Sequence, residues 1–291
     1  MPDHESDSPW RAELDDLLRG VAGAFLFGSP FLYTMEVWWK GNTTSPLRMF
    51  FALAVTYLTL LALDRALGFR RRLSRDWRRT FADSAEALAL GLLAGAASLT
   101  LLGIISPEDG LEAVMGRIII EGIPFGIGVG LANGFMKKSD EDNRDESESV
   151  GGEVRKDDIW RGTMADLRAT LLGAVIIASS IAPTDEIQVL AANLSHPRLL
   201  VLVLASVALS YMIVFEANFG SQRARRNQSG IFQTPLSETM ISYIASLAVS
   251  ASMLWLFQLI EYDDPVNKWV SYIIVLGFPA TIGGAAGRLV I

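Results

Sequence analysis

Apolar and polar positions fall in separate blocks along this chain. Runs of about 20 apolar residues begin near Leu17, Arg48, Ala82, Val114, Leu167, Pro197, Leu236 and Val266, and each is long enough, at about 1.5 Å per helical residue, to cross about 30 Å of hydrocarbon. The pattern predicts an all-α polytopic membrane protein with eight transmembrane helices.

What lies between the runs predicts orientation. GFRRRLSRDWRR (68–79) and GSQRARRNQ (220–228) are basic, whereas SPEDGLE (106–112), APTDEIQ (182–188) and EYDDP (261–265) carry acid and almost no base. Short loops rich in Lys and Arg stay cytoplasmic. The alternation therefore predicts a multi-pass protein of the cell membrane with both termini cytoplasmic and the acidic loops external. The opening MPDHESDSPWRAELDD lacks the basic start and short apolar core of a cleaved signal peptide. The longest connector, MKKSDEDNRDESESVGGEVRKDD (136–158), is too charged to bury a core and is expected to be a disordered cytoplasmic linker. The expected organisation is a polar tail over 1–16, four spans over 17–135, the linker over 136–160 and four spans over 161–291.

Four spans on each side of a linker invite a search for duplication. Shifting the chain by 150 lays residues 10–37 over 160–187 and matches Trp10/Trp160, Arg11/Arg161, Asp16/Asp166, Leu17/Leu167, Gly23/Gly173, Ala24/Ala174, Ser29/Ser179, Thr34/Thr184 and Glu36/Glu186. The last spans match at a shift of 155 through Gly122/Gly277, Pro124/Pro279, Ile127/Ile282 and Gly128/Gly283, and the third spans at 152 through Glu86/Glu238. The second spans slip, since Arg48/Arg198 fits 150 and Asp64/Glu216 fits 152. An even number of spans per half predicts two parallel four-helix repeats about an axis along the membrane normal.

Composition narrows the chemistry. The chain of 291 residues is 51% hydrophobic and 20% charged, has no cysteine, and holds only His4 and His196; disulfides, thiolate metal sites and iron–sulfur clusters are excluded, and a histidine-rich metal or haem site is disfavoured. No P-loop, dinucleotide fingerprint, HExxH or nucleophile with a histidine partner is present, so no enzyme and no cofactor is expected. The basic loops are short and adjoin spans, which suits lipid headgroups and not nucleic acid.

SPFLYTMEVWW, SETMISYIASLAVSASMLW and the GxPxxIG pair together resemble an uncharacterised bacterial family of integral membrane proteins, over most of the chain. The resemblance implies a membrane location, in a bacterium the inner membrane, and a similar span count; it implies no activity, substrate or site.

Duplicated acids are the candidate cation or proton sites. Glu36 and Glu186 fall at the external ends of the first and fifth spans, each after a proline, Pro30 or Pro183. A proline frees a helical carbonyl, and such carbonyls beside a carboxylate suit a hard cation or a proton; the alternative is that both acids reach headgroup water. Glu86 and Glu238 begin spans three and seven, either as pathway residues or as acids complementing a helix dipole. Glu121 has no duplicate, Leu276 taking its place, and an ion pair with Arg117 four residues earlier accounts for it. Were Arg117 to point elsewhere, Glu121 would become the prime proton-binding candidate.

Gly122, Gly126 and Gly130 on span four and Gly283 and Gly287 on span eight recur every four residues, a spacing that lets helix backbones approach closely; the expected contact is between spans four and eight. Pro124 and Pro279 would break these helices near mid-membrane and line a path with carbonyls, a polar inner face that Ser242, Ser246 and Ser250 would extend. The expected function is a cation transporter or channel, coupled to or carrying protons, with the lipid bilayer and an inorganic cation or proton as partners. The alternative is a non-transporting scaffold or sensor acting through the acidic linker. Neither the metal nor the oligomeric state is encoded in these patterns.

Overall fold

A computed structural model gives the fold for residues 9–68, 77–145, 156–217 and 234–289. Among these residues the chain forms helices and no strand: α1 Pro9–Gly28, α2 Met35–Thr43, α3 Pro46–Gly68, α4 Trp77–Leu101, α5 Leu111–Asp145, α6 Lys156–Ile181, α7 Glu186–Asn193, α8 His196–Tyr211, α9 Pro235–Leu256 and α10 Val266–Leu289. A 3-10 turn, Phe31–Tyr33, precedes α2, and α8 runs directly into a π turn, Met212–Glu216. Most of the two basic loops and residues 146–155 of the linker lie outside the described residues; the rest of 136–160 is helical, as the ends of α5 and α6.

Helix limits follow local chemistry. Proline stands at the first turn of α3, α8 and α9, where its missing N–H is not needed, and the Thr234 hydroxyl accepts the Ser237 N–H at 3.3 Å to cap α9. α4 closes through Gly103 at φ +70°, with Ile104 N bonded to Leu99 O at 2.9 Å. α9 closes in the same way through Gln258 at φ 63°, with Leu259 N bonded to Leu254 O at 2.9 Å. This is the left-handed C-terminal closure that satisfies a last-turn carbonyl.

Among the described residues seven helices are long and apolar enough to cross a membrane, against the eight spans expected: α3, α4, α5, α6, α8 with its π turn, α9 and α10. α1 falls short because Arg11, Glu13, Asp15, Asp16 and Arg19 crowd its first half, leaving only the stretch from Gly20 onward apolar.

Each half is organised around its last helix. α5 packs against α1, α2, α3 and α4, while α10 packs against α6, α7, α8 and α9. The glycines make these contacts possible, but not between spans four and eight: α5 and α10 do not pack closely on each other. A Cβ on Gly23 would stand 2.5 Å from Gly128 O, and one on Gly91 would stand 2.3 Å from the Gly126 backbone, so α5 meets α1 and α4 backbone to backbone. Gly122 and Gly130 instead receive the Leu92 and Leu60 side chains. In the second half a Cβ on Gly173 would stand 2.0 Å from Gly283 O, and one on Gly287 would stand 2.2 Å from Ala169 O. The reason the glycines turn inward within a half is that adjacent helices need the close approach, because lipid supplies no hydrophobic drive to hold them together. The halves meet where α1 touches the π turn and α10, and where α4 touches α8.

Gly173→Leu should force α6 and α10 apart and destabilise the fold by about 1–3 kcal/mol or more, read as a lower Tm in detergent. Gly110→Ala is the control, since a Cβ there meets nothing within 4 Å, and should leave Tm unchanged.

Candidate functional site

The acids fall at three levels. At the level of the short helices, Pro30 and Pro183 lie after their spans and not inside them. α1 ends at Gly28 and α6 at Ile181, and each proline enters the turn that follows, where its missing N–H costs no ladder bond. Glu36 and Glu186 therefore belong to the first turns of the separate helices α2 and α7. Their surroundings differ. Glu186 is buried, and its Oε1 accepts the Met35 N–H at 3.2 Å; it satisfies an unpaired amide at the start of α2, where a negative charge is favoured, and ties the second half to the first. Glu36 is exposed.

At mid-span, the ion pair expected within α5 does not form. Arg117 turns to α2, donating from Nε to Asn42 Oδ1 at 2.5 Å, and to the connector between α4 and α5, donating from Nη1 to Asp109 Oδ2 at 3.0 Å and to the Ile104 carbonyl. Asp109 also accepts the Ser106 N–H at 2.8 Å. That bond first, and then Arg117, hold the Asp109 carboxyl below its ordinary range against the opposing effect of burial. Glu121 is left 1% exposed, and neither carboxylate oxygen has a hydrogen-bond partner. It stands ten residues past Leu111 and twelve before Asn133, about 15 Å and about 18 Å of helix from the two ends of its span.

Pro124 and Pro279 do not break their helices; α5 and α10 run through both. A proline removes one ladder bond and neighbours can supply the missing donor. For Pro279 that donor is visible: the Tyr33 hydroxyl, from the connector of the other half, donates to Val275 O at 2.6 Å.

At the far ends of the spans, Glu86 is exposed and sits nine residues into α4, too deep to serve as a first-turn acid. It lines a cleft with Asp16, Asp83, Ala87, Leu90, Val129 and Asn133. Glu238 does lie in the first turn of α9, and it pairs with Arg288, which is fully buried. The Arg288 guanidinium also donates to Ser242 Oγ at 3.1 Å and lies 5.5 Å from the Phe215 ring centroid. Glu86 and Glu238 are thus not equivalent: one faces a cleft, the other an internal cation. Arg19, also buried, bonds Asp16 at 2.8 Å and reaches the Ala217 carbonyl at 3.4 Å.

Tyr33, Arg19 and Arg288 carry contacts that the sequence reading passed over. A signal existed for Arg288: it lies deep in an apolar run with no acid three or four residues away, so its partner had to come from another helix. Among the described residues no three His, Cys, Asp or Glu side chains are placed to share a metal.

Seven long apolar helices, polar groups turned inward and two glycine-packed halves define an integral, multi-pass membrane protein. The chain belongs to the family described as "Putative integral membrane protein (DUF2391)", whose model it matches over residues 16–291. No curated protein and no solved structure matches it.

Two outcomes follow from this geometry. Glu238→Gln leaves a buried guanidinium without its counter-charge and should cost about 3–5 kcal/mol, whereas Glu238→Gln with Arg288→Met should recover most of it; thermal unfolding of the three variants measures both. Asp109, held low in the folded state, contributes stability that is present above its ordinary value of 3.8 and is lost as pH falls through the folded value. Asp109→Asn should lower Tm at neutral pH and remove that part of the acid-side decline.

Proposed function

We propose that the protein moves a cation across the membrane by way of the carboxyl group in the middle of α5. Glu121 carries the reading: it is buried at the centre of its span, and both its oxygens lack partners. An ionised carboxylate in that position costs several kcal/mol unless something compensates it, and acids retained inside membrane helices belong to ion pathways and proton relays. A residue kept only for packing would not need the charge. Leu276 fills the matching position in the second half.

Acids at both ends support the reading, with Glu86, Asp16 and Asp83 around a cleft at one end and Glu36 and Glu186 in the first turns of the short helices at the other. We read the basic loops as cytoplasmic, which places Glu86 on the inner side and both termini in the cytoplasm. We also read the chain as two parallel copies of a four-span unit, with α1 as the eighth span. Three observations favour duplication: the aligned residues of the two halves, the matched contacts Gly23–Gly128 and Gly173–Gly283, and the shared closure at Gly103 and Gln258. In the second copy Arg288 occupies the inner acid, so permeation uses Glu86 and not Glu238.

Reconstitution into liposomes, with proton and alkali-cation flux followed by dyes, provides the test. Glu121→Gln should abolish flux, and Glu86→Gln and Glu36→Gln should lower it without abolishing it. Wild-type flux in Glu121→Gln would sink the proposal.

A further inference from the structure

Resting on the transport reading, we infer that the species bound at Glu121 is a proton and that each chain carries one such site, in the first half only. A metal ion needs a shell of oxygens, six to eight for Ca²⁺ and a near-octahedral six for Mg²⁺. Glu121 is 1% exposed with no polar partner on either oxygen, and its neighbours along α5 are tightly packed: α4 brings Leu92 and Gly95 against Gly122, and α1 brings Gly28 and Phe25 against Phe125. A proton needs only one carboxylate oxygen.

Among the described residues no charged group of the helices packed on α5 bonds Glu121. On α5 itself Arg117 is bound to Asp109 and Asn42. On α1, Arg19 is bound to Asp16 and Ala217. On α2, Glu36 and Lys40 are exposed, as is Arg48 on α3, whose Asp64 and Arg65 close its other end. On α4, Asp83 and Glu86 belong to the cleft, at the opposite end from the Gly95–Gly122 contact. Tyr33, on the connector, is bonded to Val275 O.

The second half shows the same place with the chemistry removed. Leu276 replaces the acid, and the Val275 carbonyl, which Pro279 deprives of its helical donor, is closed by the Tyr33 hydroxyl. In the first half Pro124 deprives the Ile120 carbonyl in the same way. The residue aligned with Tyr33 is Pro183, which has no hydroxyl to give. One half therefore keeps an ionisable group beside a proline-freed acceptor, while the other is sealed.

Carbodiimide labelling of the full chain in phosphatidylcholine liposomes, located by peptide mass spectrometry, tests this. The reagent reacts with a protonated carboxyl in apolar surroundings: the acid O–H adds across a C=N bond to give an O-acylisourea, which rearranges to a stable N-acylurea with no other reactant. We expect one modified residue per chain, Glu121, with labelling that is lost in Glu121→Gln, is kept at the aspartate of Glu121→Asp, slows as pH rises, and is unaffected by Na⁺, K⁺, Mg²⁺ or Ca²⁺ at fixed pH. Protection by any of these metal ions overturns the proton assignment, and so does the absence of label; label on Glu186 overturns the single site. Metal protection together with metal flux lost in Glu121→Gln would leave transport standing and remove the proton. Unchanged flux in Glu121→Gln, with Glu121 still labelled, would remove transport instead.

Discussion

Contact between helix backbones at glycine is the constraint on which this molecule depends. In a bilayer, lipid tails are as apolar as leucine, so helices associate through close packing and hydrogen bonds and not through a hydrophobic drive. Gly23 against Gly128, and Gly173 against Gly283, bring backbones to distances that any side chain would forbid. Because α1, α2 and α4 close on α5 in this way while α3 packs with side chains, Glu121 at its middle is removed from both lipid and water. That is what turns a glutamate in its sequence into an isolated carboxyl group.

Elsewhere in the molecule many buried hydroxyls are satisfied within their own helices. The hydroxyls of Ser246 and Ser250 donate to the carbonyls of Ser242 and Ser246, Ser98 to Ala94, and Thr281 to Gly277. The serine stripe of α9, which suggested a polar path from sequence, is a ladder of back-bonds to the preceding turn. Buried cations are handled across helices, with Arg288 meeting Glu238 and Ser242, and Arg19 meeting Asp16 and Ala217. Trp38 Nε1, Ser84 Oγ, Ser210 Oγ and Tyr243 OH are also buried without a partner, but among the described residues Glu121 is the one carboxylate in that state.

Much of the architecture was legible in the residues. Block length gave seven of the spans, because a run of about 20 apolar residues is a signal carried by composition alone. The expected eighth span did not meet the same measure, since charges in the first half of α1 outweigh its apolar second half. Partner choice was less legible. Arg117 had Glu121 four residues away and Asp109 eight residues away; it took Asp109, Asn42 and a carbonyl because the connector folds back over the start of α5. Glu36 and Glu186 align in sequence, yet one is exposed and the other caps a helix of the opposite half. Matching letters do not guarantee matching environments once the two halves pack on each other.

The π turn at Met212–Glu216 marks another place where the two halves differ. Its hydrogen bonds reach one residue further than those of an α-helix, Ala217 N meeting Met212 O at 2.9 Å, and such a turn absorbs an added residue without breaking the helix. It lies in the stretch where the offset between the second spans slips from 150 to 152. The widened turn also places Phe215 beside Arg288 and aims the Ala217 carbonyl at Arg19. One widened turn thus serves both buried cations: it gives Arg288 an aromatic neighbour within its own half and lends Arg19, in the other half, a carbonyl oxygen.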